Sequence, residues 1–443
     1  MLTQVPPPWY APVPPPAPRR SGAGLRATLV VLLVAALFLG LGDAALFVVR
    51  GGGSSATASF VDGGGLTSLL QRRASAVIKH DEAAFLADID PADAKFLDRQ
   101  RIEYENLVAL GLKSFTLTLS RASGYTAEDQ ALIRRYGPAL VEVGVTVRYQ
   151  VAGLDNAEDA EPWVPIFGVA HGRWLLAGEE GPGTSKNTPM GTGGQPWEAR
   201  PITVVKSDHV VAVISKEDAS IAPHLLDLAE HGVLNVMKVR PSNWPGKILV
   251  TAVSDQKVFD SYFNSSPDKL AQVEAVTIPR FDGIPEWDNS SKFALSRVVF
   301  NPAMLGRADD ELQHTLTHEF THVAFGPVTS GSTPSWLVEG MAEYVAYATE
   351  QVSAGFPGAA ARHVASASAL PPDETFYDSA DNYILGWLAV KLIAQKYGQA
   401  KAIALYEYFK DHAAENAAFT AVLGITRDQF VKDWLAYLRQ LRG

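Results

Sequence analysis

Three histidines at four-residue intervals constrain this chain more than any other feature, since that interval is close to one helical turn. His314, His318 and His322 lie in the segment HTLTHEFTHVAFG. Side chains at i and i+4 share one face of a helix, so His318 and His322 converge on one point with Glu319 beside it. Such a face can bind zinc through its neutral imidazoles, or it can simply be polar.

The residues around the histidines predict where this helix begins and ends. Asp309 or Asp310 can cap its start, and Gly326 can end it. On such a helix, a glutamate beside a zinc-bound water can accept the proton of that water. The pattern H-E-x-x-H arises by chance in on the order of one in a hundred chains of this length at average composition. A third metal ligand is therefore needed to decide between the two interpretations.

A candidate for that ligand lies in PSWLVEGMAEYVAYA, which predicts a second helix over residues 334–348. HEFTH followed by WLVEG resembles the gluzincin metallopeptidases, such as thermolysin and the zinc aminopeptidases. In that family a glutamate on a second helix completes a zinc site of two histidines and one glutamate. The resemblance implies that His318, His322 and Glu339 bind Zn²⁺ and that Glu319 activates the water that attacks a peptide bond.

The same resemblance assigns two supporting residues. Glu343 follows Glu339 by four residues and shares its helix face, where the family has a group that holds a ligand histidine in orientation. Tyr383, in a Tyr-x-x-Gly frame, takes the place of the tyrosine that donates a hydrogen bond to the oxyanion in the aminopeptidase branch. An exposed helix carboxylate and a core tyrosine are the respective alternatives. His314 is expected to be a solvated or outer histidine, because it lies two turns from His322.

The segment SRVVFNP, residues 296–302, predicts a strand directly before the histidine helix. In gluzincins an edge strand at this place pairs with extended substrate. The aminopeptidase branch also carries a Gly-x-Met-Glu-Asn stretch that binds the amino group of its substrate, and this chain lacks that stretch. The resemblance therefore implies an endopeptidase rather than a strict aminopeptidase.

The N-terminal part of the chain has a low-complexity segment on each side of one apolar run. Residues 1–26 are rich in proline, which predicts a disordered cytoplasmic tail or a docking site for a proline-binding module. Residues 27–49 are long enough to cross a ~30 Å hydrocarbon layer as a single helix. Arginines before this run predict a cytoplasmic N-terminus and an extracellular bulk, with a cleaved signal peptide as the alternative. Residues 50–64 read as a flexible linker.

The remaining chain predicts an α+β fold in two domains. Residues 65–180 show helical periodicity followed by alternating strands, an order that resembles the nuclear-transport-factor-like, or cystatin-like, cone domains. Such domains bind ligands, dimerise or serve as spacers. Residues 181–200 form a second linker by composition. Residues 201–443 are expected to be a mainly helical zincin-like domain with a small sheet.

Composition limits the partners of the chain. The net charge of −10 argues against nucleic acid, and the absence of cysteine excludes disulfides and thiolate metal sites. We therefore expect a single-pass, membrane-anchored, extracellular zinc metallopeptidase that acts on a peptide or protein. Residues 65–180 could provide a ligand-binding or dimer contact. The alternative is a surface-anchored binding or scaffold protein with a catalytically silent peptidase-like domain.

Overall fold

The computed structural model describes residues 63–120, 130–137, 140–179, 195–261, 273–285, 290–349 and 355–443. The proline-rich tail and the apolar run at 27–49 lie outside the described residues, as does most of each linker. Within the described ranges, no helix is both long and apolar enough to cross a membrane. The predicted anchor and the predicted domain boundaries therefore stay predictions.

The described residues between 63 and 179 form four helices and two small antiparallel sheets. The helices are α1 (Gly63–Lys79), α2 (Glu82–Leu86), α3 (Ala94–Leu110) and α4 (Gln130–Tyr136). The strands are β1 (Leu112–Leu119), β2 (Val141–Glu142), β3 (Val145–Val151), β4 (Asp159–Trp163), β5 (Pro165–Ala170) and β6 (Arg173–Glu179). Their orders are β1-β3-β4 and β2-β5-β6. His171 and Gly172 turn the chain between β5 and β6, and both residues have positive φ.

The second part begins with a five-stranded mixed sheet. Its elements in chain order are α5 (Pro196–Ala199), β7 (Ile202–Lys206), β8 (Val210–Ser215), α6 (Ala222–Val239), β9 (Ile248–Ala252), α7 (Gln256–Ser261), β10 (Ala275–Phe281) and β11 (Phe293–Phe300). The strand order is β10-β11-β9-β8-β7, and the pairs β8/β9 and β9/β11 are parallel. The chain is therefore a mixed α+β fold, as expected.

The strand predicted over SRVVFNP forms as β11, but it lies inside the sheet. It pairs with β10 on one side and with β9 on the other. In the described part of the chain, β10 is the outermost strand on that side of the sheet. The prediction that β11 is an edge strand is therefore wrong, and β10 occupies the edge instead.

Helices make up the rest of the chain. They are α8 (Asp309–Phe325), α9 (Ser335–Thr349), α10 (Phe356–His363), α11 (Asp381–Tyr397), α12 (Gln399–Tyr408), α13 (Glu415–Ala418) and α14 (Arg427–Arg442). Gly326 ends α8 as predicted, but Ala308 is its N-cap. The predicted caps Asp309 and Asp310 lie inside the first turn, where their charge favours the positive end of the helix dipole.

The five-stranded sheet is buried on both faces. Val210, Ala212 and Val250 pack on one face in a core that includes α6 and α8. On the opposite face, Val211 and Leu249 belong to a core formed with α1 and α3. Side chains of one strand alternate between faces, so β8 and β9 contribute to both cores at once. The sheet is consequently shared between the N-terminal and C-terminal parts of the described structure.

Two glycines let α9 and α11 approach each other closely. A Cβ atom on Gly386 would lie 2.6 Å from the backbone oxygen of Trp336, and one on Gly340 would overlap the carbonyl of Gly386. Only glycine fits at this crossing. The close approach brings Glu339, next to Gly340 on α9, near the first turn of α11.

Candidate metal centre

Helix α8 places two histidine rings against each other. Nε2 of His318 lies 3.1 Å from Nε2 of His322, and the two ring planes are tilted by 77°. Both side chains are buried because α8 lies between the sheet and α9, with Phe320 of the same helix in the core. The predicted pair of histidines therefore points its ring nitrogens into one small space.

Helix α9 brings a carboxylate into the same space. Oε2 of Glu339 lies 3.3 Å from Nε2 of His318 and 3.6 Å from Nε2 of His322. Glu339 is completely buried, and among the described residues neither of its carboxylate oxygens has a hydrogen-bond partner. Burial raises the pKa of Glu339, but His322 and His318 outweigh burial, so this pKa lies below its ordinary value.

The three atoms fit a small tetrahedral cation. Zinc binds histidine nitrogen and carboxylate oxygen at about 2.0–2.2 Å, so two ligand atoms of a tetrahedron lie about 3.3–3.6 Å apart. The three distances between the ligand atoms of His318, His322 and Glu339 are 3.1, 3.3 and 3.6 Å. A buried carboxylate without a donor is costly unless a cation compensates it. His318, His322 and Glu339 thus form a cluster that could hold a metal ion.

Glu343 lies between two histidines on the outer side of this cluster. Its Oε1 is 3.2 Å from Nδ1 of His318, and its Oε2 is 3.2 Å from Nε2 of His314. Burial raises the pKa of Glu343, but His314 and His318 together hold it well below its ordinary value. Burial lowers the pKa of His318, yet Glu339 and Glu343 outweigh it and hold this pKa well above its ordinary value. His314, His318 and Glu343 could also group around a cation.

Glu319 has a partner that sequence reasoning missed. Its side chain is buried, and its Oε2 accepts a hydrogen bond of 2.6 Å from Oγ1 of Thr277 on β10. Thr277 precedes Glu319 by 42 residues, so local sequence gives no sign of this contact. The edge strand of the sheet therefore contacts the glutamate of the H-E-x-x-H pattern directly.

Tyr383 lies beside the cluster in the first turn of α11. Its ring centroid is 6.4 Å from that of His318, and it packs on Phe376 at 5.3 Å. Burial first, and then the charge of Glu339, raise the pKa of Tyr383 well above its ordinary value, so its hydroxyl stays protonated. Tyr377, which sequence reasoning did not single out, is also buried next to Tyr383. Burial, followed by the Glu339 charge, raises its pKa in the same direction.

The space beside His322 is nearly filled. A cavity of about 10 Å³ is lined by residues that include Thr277, Phe293, His322 and Val338. A cavity of this size holds about one water molecule. The space between His322 and the strands β10 and β11 is therefore narrow.

A comparison with known protein families gives a match in this region of the chain. A family model described as the Peptidase MA superfamily matches residues 283–440, a range that contains α8, α9 and Tyr383. The match supports a zincin-like peptidase domain with a peptidase-related function in that range, and this superfamily is commonly zinc-dependent. The search of curated proteins found no match.

Proposed function

We propose that this chain is a gluzincin-type zinc metallopeptidase. The observation that carries the proposal is the triangle of His318, His322 and Glu339, whose three ligand atoms lie 3.1–3.6 Å apart around a carboxylate without hydrogen bonds. The superfamily match over residues 283–440 supports it independently.

His318, His322 and Glu339 would hold the zinc ion. When bound, zinc supplies a lowered pKa for a water molecule and polarisation of the substrate carbonyl. Glu343 accepts a hydrogen bond from Nδ1 of His318, which leaves Nε2 of that ring free as the metal-binding atom. Glu343 thus fixes both the tautomer and the direction of the His318 ring.

Glu319 acts as the general base and then as the general acid. Its Oε2 is held by Thr277, so Oε1 is the oxygen that takes the proton from the attacking water. Glu319 later returns this proton to the leaving amine. Tyr383, protonated and next to His318, donates a hydrogen bond to the oxyanion that develops on the substrate carbonyl.

The substrate is proposed to be an extended peptide or protein segment that lies along β10. This outermost strand carries Thr277, and so an extended segment that pairs with it would lie next to Glu319. A substrate segment that extends past Thr277 in both directions would be cleaved at an internal peptide bond, which is endopeptidase action. We further propose that residues 27–49 anchor the protein in the cell membrane and that the described residues lie outside the cell.

The proposal is tested by zinc content and hydrolysis measured on the same purified chains. We expect about one zinc per chain, retained in Glu319→Gln and lost in Glu339→Ala. Both variants should fail to cleave a mixed library of internally quenched peptides that the unchanged chain cleaves. A chain that binds no zinc after reloading would overturn the proposal. Zinc binding without cleavage of any library peptide would favour a silent domain with a binding role.

A further inference from the structure

We infer that Thr277 is a positioning residue, which fixes the carboxylate of Glu319 and ties it to the strand along which substrate would lie. This inference rests on the proposed function. Thr277 lies before the range matched by the Peptidase MA family model, which begins at residue 283. It belongs to β10, whereas Glu319 belongs to α8.

The hydroxyl of Thr277 has two acceptors, and both belong to Glu319. Oγ1 lies 2.6 Å from Oε2 of the carboxylate and 3.0 Å from the backbone oxygen. A hydroxyl has a single proton to donate, and an ionised carboxylate is the stronger and here the closer acceptor. Thr277 is 3% exposed, so water does not compete for this bond. The Glu319 side chain is therefore held in one rotamer by a charge-assisted hydrogen bond.

This hydrogen bond makes the two oxygens of Glu319 unequal. Oε2 accepts the hydrogen bond of Thr277, whereas Oε1 keeps its lone pairs for the proton of a water. Without the hydroxyl, either oxygen could turn toward the metal cluster, and the carboxylate could occupy several rotamers. Thr277 thus selects the oxygen that does the proton transfer.

The backbone N–H and C=O of Thr277 point away from β11, toward the outer edge of β10. Asn301 donates its backbone N–H to the oxygen of Glu274, so this pair is hydrogen-bonded across β10 and β11. Hydrogen-bonded pairs alternate along an antiparallel ladder, and so Val276 and Ile278 also bond to β11. Thr277 and Pro279 then turn their backbone groups to the outer edge, where the missing N–H of proline costs no ladder bond.

Thr277 consequently acts through two different groups, its backbone and its side chain. The backbone N–H and C=O of Thr277 point to the edge along which substrate is proposed to lie, while its side chain holds Glu319. A peptide that pairs with Thr277 is thereby set in register with the base, with no other residue between them. Substrate position and base position depend on the same threonine.

The test compares three variants of the full, zinc-loaded chain. Thr277→Val removes the hydroxyl and keeps the shape, whereas Thr277→Ser keeps the hydroxyl. Thr251→Val is the matched control, because Thr251 is buried in β9 of the same sheet, on the face shared with Leu249. We expect Thr277→Val to lower kcat about 10- to 100-fold, as for loss of a hydrogen bond to a charged group, with KM and zinc content little changed. Serine should restore most of kcat, and the control should match the unchanged chain.

Binding of acetohydroxamate, measured by calorimetry, gives a second readout that needs no turnover. A hydroxamate donates its proton to the base beside the metal, so Thr277→Val should weaken its binding about tenfold, within the range for such a hydrogen bond, and Thr251→Val should not. Unchanged kcat and unchanged hydroxamate affinity in Thr277→Val would overturn the inference, as would a serine variant no better than valine. If no peptide is cleaved but hydroxamate affinity falls as expected, the proposed function fails while the role of Thr277 stands. A chain that binds neither zinc nor hydroxamate would overturn both.

Discussion

Glu343 and His318 face each other across the crossing of α8 and α9, with Oε1 of the carboxylate 3.2 Å from Nδ1 of the ring. The other oxygen of Glu343 reaches His314 at the same distance. A metal-ligating histidine that donates its second N–H to a carboxylate is fixed in orientation and becomes a stronger ligand. In the proposed metal site, Glu343 would therefore act on metal binding through the orientation of His318.

Removing this carboxylate should weaken zinc binding without abolishing it. We expect Glu343→Ala to lower zinc affinity about 10- to 100-fold, measured by competition with a chromophoric chelator. Glu343→Gln should have a smaller effect, because its amide oxygen can still accept from Nδ1. Glu311→Ala, in the first turn of α8, is the control and should change the affinity little. An affinity equal in Glu343→Ala and the unchanged chain would show that this contact has no role.

Metal removal should destabilise the folded chain. A ligand that binds only the folded state adds about 4 kcal/mol at a thousandfold excess over its Kd. A strong chelator should therefore lower the melting temperature of the unchanged chain by several degrees, as followed by calorimetry. In addition, Glu339 would be left buried without a cation. Glu339→Ala should melt at one temperature with or without chelator, and a chelator-dependent shift in that variant would contradict the assignment of Glu339 as a ligand.

Substitution at the glycine crossing of α9 and α11 should cost stability. Gly386→Ala would place a methyl group 2.6 Å from the backbone oxygen of Trp336, so one helix must move. Overpacking of this kind costs about 1–3 kcal/mol, which chemical denaturation can measure. At Gly306, by contrast, no heavy atom of the described residues lies within 4 Å of an added Cβ. Gly306→Ala is therefore the control, and equal destabilisation by both substitutions would argue against close packing at the crossing.

A buried carboxyl in the N-terminal part should make stability depend on pH. Burial, and then the charge of Glu103, raise the pKa of Glu179 to about 7, whereas an unfolded glutamate has a pKa of about 4.3. At pH values between these two pKa values, the folded chain binds more protons than the unfolded chain. The free energy of unfolding therefore falls as pH rises from the lower pKa to the higher one. Glu179→Gln should flatten this dependence and add up to about 3 kcal/mol at pH 8.

Chemical denaturation at several pH values checks the Glu179 prediction. Glu161 has its pKa raised to about 7 as well, chiefly by burial, so some slope should remain in the variant. Glu105→Gln, at an exposed site on α3, should keep the full slope of the unchanged chain. A variant at Glu179 with an unaltered slope would show that this carboxyl titrates normally in the folded state.

Asp159 should be among the most sensitive residues of the chain. It is fully buried on β4 and accepts hydrogen bonds from Nε of Arg280 at 2.9 Å and from the hydroxyl of Tyr149 at 2.8 Å. Asp159→Ala would leave a buried guanidinium without this partner, at a cost of about 3–5 kcal/mol. The exposed pair of Glu82 and Arg101 provides the contrast, and Glu82→Gln should cost less than about 1 kcal/mol. The denaturation midpoints of Asp159→Ala and Glu82→Gln measure the two losses of stability.

Local sequence was enough to predict the elements that depend on neighbouring residues. The apolar residues of α1, such as Leu66, Leu70 and Val77, share one buried face as their spacing predicts. The histidine helix, the helix that carries Glu339 and the turn at His171 also follow from spacing and from glycine. In each case the contacts that determine the element join residues close together in the sequence, either within one or two helical turns or within a single reverse turn.

Other features depend on contacts between distant segments, which no local pattern contains. The alternation in SRVVFNP predicts a strand but not its neighbours, and strand order in a mixed sheet is set by crossover connections. The hydrogen bond from Thr277 to Glu319 joins a strand and a helix, and so neither segment predicts it alone. The N-cap of α8 is Ala308 rather than Asp309 or Asp310, and local sequence does not decide this because several adjacent residues could begin the helix.

The five-stranded sheet with two covered faces limits how this protein can be divided. Val211 and Leu249 lie under α1 and α3, and Asn106 of α3 donates to the backbone oxygens of Trp197 and Arg200. A fragment that starts at residue 201 would expose this apolar underside to water and lose those bonds. Exchange of residues 65–180 for another module would have the same effect. We therefore expect a protein cut between the two parts to be less stable than one that keeps both.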